Sequence, residues 1–180
     1  HTAGLMDGGV LPVMKHIPGH GRAEVDSHHA LPVVNARRQD LEQVDFPPFA
    51  AFADAPMAMT AHVIYTAIDK TAPATLSRKL IKSVIRGQIG FRGLLLTDDL
   101  SMKALSGTLS EKCQAALKAG CDMLLHCNGV LAEMREVAEA AGELRGKSLR
   151  RAKAALKSAR KPQGYDRKAA LKDLELVVSA

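Results

Sequence analysis

The amino-acid sequence predicts an α/β fold built on a parallel sheet, with strands enough for half of a (β/α)8 barrel. Three observations carry that prediction. Short apolar runs alternate with helical patterns, the order expected of parallel α/β architecture. Chemically capable side chains follow the C-terminal end of each run, where such a barrel builds its active site. The runs number four, whereas a complete barrel needs eight strands and ~250 residues.

Each element has its own justification. The opening His1-Thr-Ala-Gly-Leu reads as the tail of a helix begun elsewhere. The first strand, 10–14, lies between Gly8-Gly9 and the glycines after Pro18. The second (57–65, MAMTAHVIY), third (93–98, GLLLTD) and fourth (123–127, MLLHC) are apolar enough for strands covered on both faces. Helices are expected over 40–52, 76–88 and 110–119, with Ser77 and Ser110 as N-caps and Gly90 and Gly120 as stop signals. Three more helical stretches, near 130–144, 148–159 and 166–178, close the chain. Lys15-His16, His62, Thr97-Asp98-Asp99 and His126-Cys127-Asn128 are the clusters that follow the strands.

Composition bounds the function. The 180 residues, 47% apolar and 24% charged, suit one soluble globular domain spanning 1–180. No stretch approaches the ~20 apolar residues of a membrane span, and no basic-then-apolar leader argues for export. Three cysteines without a repeated CxxC spacing read as reduced thiols packed as small apolar groups, which places the protein in the cytoplasm. The net charge of +6 is concentrated in the tail, 147–172. Two tyrosines and four phenylalanines offer little stacking surface for bases. The tail therefore reads as a solvated basic face, and nucleic acid is not an expected partner.

Two segments concentrate chemistry. KHIPGHGRAEVDSHHALP, residues 15–32, holds four of the seven histidines on a turning, glycine-containing loop. Zinc binding by His16, His20, His28 or His29 is one reading, although HxxxH aligns two ligands only on a helix. Anion binding by the PGHG backbone is another. The third is acid/base chemistry, in which Asp26 fixes the tautomer of His28 and raises its basicity. GFRGLLLTDDLSM, residues 90–102, ends a buried strand in two aspartates, which is costly unless they pair or react.

These segments, in this order and joined by MTAHVIY, resemble the defining motifs of glycoside hydrolase family 3 β-N-acetylglucosaminidases, bacterial enzymes of peptidoglycan recycling. The resemblance runs from Gly4 to about Asn128. It implies strands 5–8 of the barrel, with Asp98 as nucleophile, His28 as acid/base and Asp26 as its dyad partner. It also implies that Lys15 and His16 contact hydroxyls of the bound N-acetylglucosamine, that Asp99 caps or braces the next helix, and that no metal or organic cofactor is needed. The substrate implied is N-acetylglucosaminyl-1,6-anhydro-N-acetylmuramic acid, with or without its peptide. The sugar-binding aspartate and arginines of the first half-barrel have no counterpart here. The segment alone is therefore expected to be inactive and to need the N-terminal half as partner. A β-N-acetylglucosaminide phosphorylase, or a non-catalytic sugar-binding remnant, are the rival readings.

Overall fold

A computed structural model describes residues 1–179. The strands are β1 (Val13–Ile17), β2 (Val33–Val34), β3 (Met57–Thr60), β4 (Ile64–Tyr65), β5 (Leu94–Asp99) and β6 (Met123–Leu125). The first helices are α1 (Thr2–Asp7), α2 (Arg38–Asp40, widening to π geometry over Leu41–Asp45) and α3 (Pro47–Ala50). They are followed by α4 (Arg78–Leu80, likewise widening over Ile81–Gln88) and α5 (Leu109–Ala119). The chain ends with α6 (Leu131–Ala141), α7 (Gly146–Lys157) and α8 (Arg167–Val178).

The four main strands form one parallel sheet in the order β1-β3-β5-β6, and β2 and β4 form a separate parallel pair. The α/β alternation with a parallel sheet is thus observed as expected. Ala58 and Leu95 point from the sheet into a core with Leu80, Val84, Ile85 and Phe91, all fully buried. The register places Lys15 beside Met59, Met59 beside Leu96, and Leu96 beside Met123. Those residues stay at least partly exposed, as do Val13 and Met57. Alternation along each strand therefore sets a helix-covered face against an open one.

Several boundaries differ from expectation. The first strand lies three residues later, so Lys15 and His16 are part of β1 and do not follow it. The second run breaks after Thr60, and Ile64–Tyr65 leaves the main sheet to pair with Val33–Val34. Thr60 and His62 interrupt the apolar run without any glycine or proline, so no turn signal marks the change of partner. The expected helix at 40–52 is divided between α2 and α3, with Pro47 opening the latter.

Caps explain where the other helices start and stop. Ser77 accepts the Leu80 N–H at 3.1 Å, as expected. At α5 the cap is Thr108, not Ser110: Thr108 Oγ1 accepts from Glu111 N and Glu111 returns a bond to Thr108 N. This reciprocal pair satisfies two donors that the helix start leaves open. Thr108→Ala is expected to cost about 1 kcal/mol, measurable by urea unfolding; no change in midpoint would show the box to be idle. Gly120 ends α5 with φ 118°, and a Cβ there would sit 3.2 Å from Ile81 Cγ2, so glycine is required.

The tail forms helices as expected. Helix α8 buries none of its residues, whereas α7 buries Ala155 and turns Ser148 and Arg151 towards Asp122. Among the described residues, no helix is long and apolar enough to cross a membrane. Cys113 and Cys121 are buried, but Cys127 is exposed, so the packing role expected of all three cysteines holds for two.

Candidate active site

The C-terminal ends of β1, β3, β5 and β6 converge, and the loop after β1 hangs beside them. Asp98 stands at the end of β5 with 16% of its side chain exposed. Its Oδ1 accepts the Asp99 N–H at 2.8 Å. Its Oδ2 lies 3.4 Å from His16 Nε2 and accepts no hydrogen bond among the described residues. Burial lowers the pKa of His16 below its ordinary value, against the opposing pull of Asp98. A neutral imidazole thus faces the free oxygen of a carboxylate. The Lys15–His16 and Ile17–Pro18 peptide bonds leading into the loop are cis.

Asp99 is engaged quite differently. Its carboxylate accepts Ser101 N and Oγ at 2.9 and 2.7 Å, and Cys127 N at 3.3 Å. It braces the turn after β5 and the chain leaving β6, and Thr108 takes the helix-capping role. Those hydrogen bonds hold the carboxyl below its usual range against the effect of burial. Of the two aspartates, only Asp98 keeps an oxygen available.

The sequence marks His62 as a strand-end histidine but gives it no role. The structure buries it completely. Its Nε2 is 3.0 Å from the Asp99 carbonyl and its Nδ1 is 2.7 Å from Thr75 Oγ1. Burial lowers its pKa, so the neutral ring donates from Nε2 to the carbonyl and accepts from Thr75. This bond pins the backbone immediately after Asp98. The side chain of His126 is also buried, with Nδ1 3.7 Å from Asp99 Oδ1 and Nε2 3.3 Å from Glu133 Oε2. No local pattern could reveal either contact.

The loop is anchored at its base and free at its tip. Tyr65 donates its hydroxyl to the Gly19 carbonyl, and Arg22 Nε donates to Asp45 Oδ2 at 2.7 Å. The β2–β4 pair holds the other end. Between these anchors, Asp26 Oδ1 is 2.7 Å from His28 Nδ1 and accepts the His28 backbone N–H at 2.9 Å. The hydrogen bond to Asp26 raises the pKa of His28, with smaller contributions from Asp98 and Asp99. His28 is 71% exposed and Asp26 58% exposed, and His28 does not touch Asp98. The structure therefore forms two pairs, His16 with Asp98 and Asp26 with His28, and leaves Lys15 exposed on the open sheet face. Among the described residues, no three His, Cys, Asp or Glu side chains are grouped to hold a metal ion.

Comparison with known proteins identifies the family. The sequence profile of the glycosyl hydrolase family 3 N terminal domain matches residues 1–158. The chain belongs to glycosyl hydrolase family 3. It is 46% identical over 129 residues to a beta-hexosaminidase of Chromobacterium violaceum, covering 69% of this chain and 36% of that protein. It is 47% identical over 131 residues to the beta-hexosaminidase of Alkalilimnicola ehrlichii, covering 71% and 37%. The family 3 fold is also seen in the β-N-acetylglucosaminidase of Paenibacillus sp. str. FPU-7. There the TM-score is 0.80 and the identity 31%, over 92% of this chain and 35% of that one. NagZ from Neisseria gonorrhoeae, in complex with N-trifluoroacetyl-D-glucosamine, matches with TM-score 0.66 and 32% identity over 87% of this chain and 45% of that one. This family 3 chain thus spans a little over a third of the curated relatives it matches.

Proposed function

We propose that the chain is a single domain, 1–180, forming strands 5–8 of the barrel of a retaining β-N-acetylglucosaminidase. It removes terminal β-linked N-acetylglucosamine from peptidoglycan fragments, in the cytoplasm. The observation that carries this reading is the uncapped Oδ2 of Asp98 at the mouth of the sheet, 3.4 Å from His16. The nearby Asp26–His28 pair supports it.

Asp98 Oδ2 bonds to the anomeric carbon while the bond to the aglycone breaks and its electron pair passes to the glycosidic oxygen. His28, protonated at Nε2, supplies the proton to that oxygen. Neutral His28 then takes a proton from water, whose oxygen displaces Asp98 from the anomeric carbon. Lys15 and His16, on the floor beside Asp98, bind sugar hydroxyls. A neutral His28 in the second step adds no negative charge beside Asp98, as a second carboxylate would.

The partly exposed Val13, Met57, Met59, Leu96 and Met123 support the need for the N-terminal half to complete the barrel. So does a concavity of about 580 Å³ beside β6, lined by Met123, Leu124, Met134 and Val137. The chain alone is expected to be inert towards 4-nitrophenyl β-N-acetylglucosaminide, and the two halves together to release nitrophenol. Turnover by the isolated chain would overturn the half-site reading.

The pH dependence has a definite sign. Asp26 raises the pKa of His28, so the protonated acid persists to higher pH than a lone histidine would. Asp26→Asn removes that support. The basic limb of kcat/KM, which reports the free enzyme, is expected to move to lower pH in the assembled enzyme. An unchanged limb would remove His28 from the acid role.

A further inference from the structure

We propose that the outer, helical side of the chain carries a binding site for a small diphosphate-type anion, separate from the proposed active site. A concavity of about 310 Å³ lies where α4, the end of α5 and α7 meet. Its polar lining is cationic: Arg78, Lys82, Arg86, Lys118 and Arg151, over an apolar floor of Ile81. Asp122 is shared by Arg86 and Arg151, each at 2.7–2.8 Å. Arg78, Lys82 and Lys118 have no carboxylate partner among the described residues. Asp69, at the cap of α4, is already bonded to Thr71, Ala72 and Ser77.

Helix electrostatics explain only part of this cluster. Lys118 lies in the last turn of α5, where a cation is favoured. Arg78 and Lys82 lie on α4, which begins with two cations and has no acid in its first turn. That end of a helix disfavours positive charge, and like charges one turn apart repel. The cluster is therefore locally unfavourable by itself and would be relieved by an anion.

Shape selects the kind of anion. The cations converge from three helices on one hollow, whose volume is at the small end of ligand pockets. A membrane or nucleic acid would call for a more extended basic face than this open hollow of about 310 Å³ offers. Two adjacent phosphates suit the site because the unpaired Arg78 guanidinium can bind one with paired charge-assisted hydrogen bonds while Lys82 and Lys118 act as point charges for the other.

The test is titration of the full chain with inorganic pyrophosphate at ~0.15 M salt, where surface attraction is largely screened. Calorimetry and amide NMR would be the readouts. The expected result is saturable binding, with shifts centred on Arg78, Lys82 and Lys118, weaker binding of orthophosphate, and none of phosphatidylglycerol vesicles. The charge-reversed pair Lys82→Glu with Lys118→Glu, both at exposed positions, should weaken binding by at least about tenfold. The control pair Lys147→Glu with Lys153→Glu makes the same charge change outside the hollow and should leave binding intact. Absence of saturable binding, equal loss in the control pair, or preference for vesicles would each overturn the proposal. None of these outcomes depends on the glycosidase reading.

Discussion

Asp122→Ala is expected to destabilise the fold by about 3–5 kcal/mol, lowering the thermal midpoint by about 10 °C. The carboxylate is 2% exposed and every lone-pair direction is used. Oδ2 accepts Arg86 Nη2 at 2.7 Å and the Leu95 N–H at 3.0 Å. Oδ1 accepts Ser148 Oγ and Arg151 Nη1, both at 2.8 Å. One side chain thus ties the start of β5, helix α4 and helix α7 to the first residue before β6. Arg86 also donates to the Phe91 and Gly93 carbonyls, with its guanidinium 5.2 Å from the Phe91 ring centroid. Truncation would leave a buried guanidinium without its counter-charge and a buried N–H without an acceptor, two named sources of large losses. Asp122→Asn keeps the shape but turns an amide donor towards an arginine, so it should recover only part of the loss. Differential scanning calorimetry of both variants decides the matter; a loss under about 1 kcal/mol for the alanine variant would place this cluster with ordinary surface pairs.

That clamp also marks the limit of what the sequence reveals. Local patterns are legible: Ser77 before α4, Gly120 after α5 and the Asp26-Ser27-His28 triplet each put cause and effect within a few residues. Thr108 was legible too, through the Thr-x-x-Glu spacing to Glu111 that Ser110 lacks. Asp122 and Arg86 lie 36 residues apart and meet only because β5 and β6 are neighbours. Asp98 and His16 likewise meet only when β1, β3 and β5 align. The break after Thr60 stayed hidden because Thr60 and His62 carry no turn signal within an otherwise apolar stretch, and only the pairing of Val33 with Ile64 decides where the chain turns away. The four strands of the main sheet were therefore readable from hydrophobicity, whereas the short β2–β4 pair was not; which polar groups meet at the strand ends required the sheet order.

The largest functional loss is expected at Asp98. If its Oδ2 forms the bond to the anomeric carbon, Asp98→Ala should lower kcat of the assembled enzyme by roughly 10⁴-fold or more, as removal of other catalytic nucleophiles does. Asp99→Asn makes a useful contrast, because Asp99 works through bonds to Ser101 and Cys127 and should mainly affect stability. A fall in kcat alone does not separate a nucleophile from a residue that positions one. Azide does: in Asp98→Ala the space left by the carboxylate admits a small anion to the same face of the sugar. Rescue should yield the α-glycosyl azide, because one displacement inverts the anomeric centre and the second, normally performed by water on the Asp98 ester, never occurs. His62→Gln tests the support beneath that chemistry. Its amide can still donate to the Asp99 carbonyl, whereas His62→Ala leaves that carbonyl unbonded and Asp98 free to swing. Partial retention of kcat in the glutamine variant, with near-complete loss in alanine, is the expected order. Azide rescue of His62→Ala would contradict it, since that variant still fills the nucleophile's place with a carboxylate.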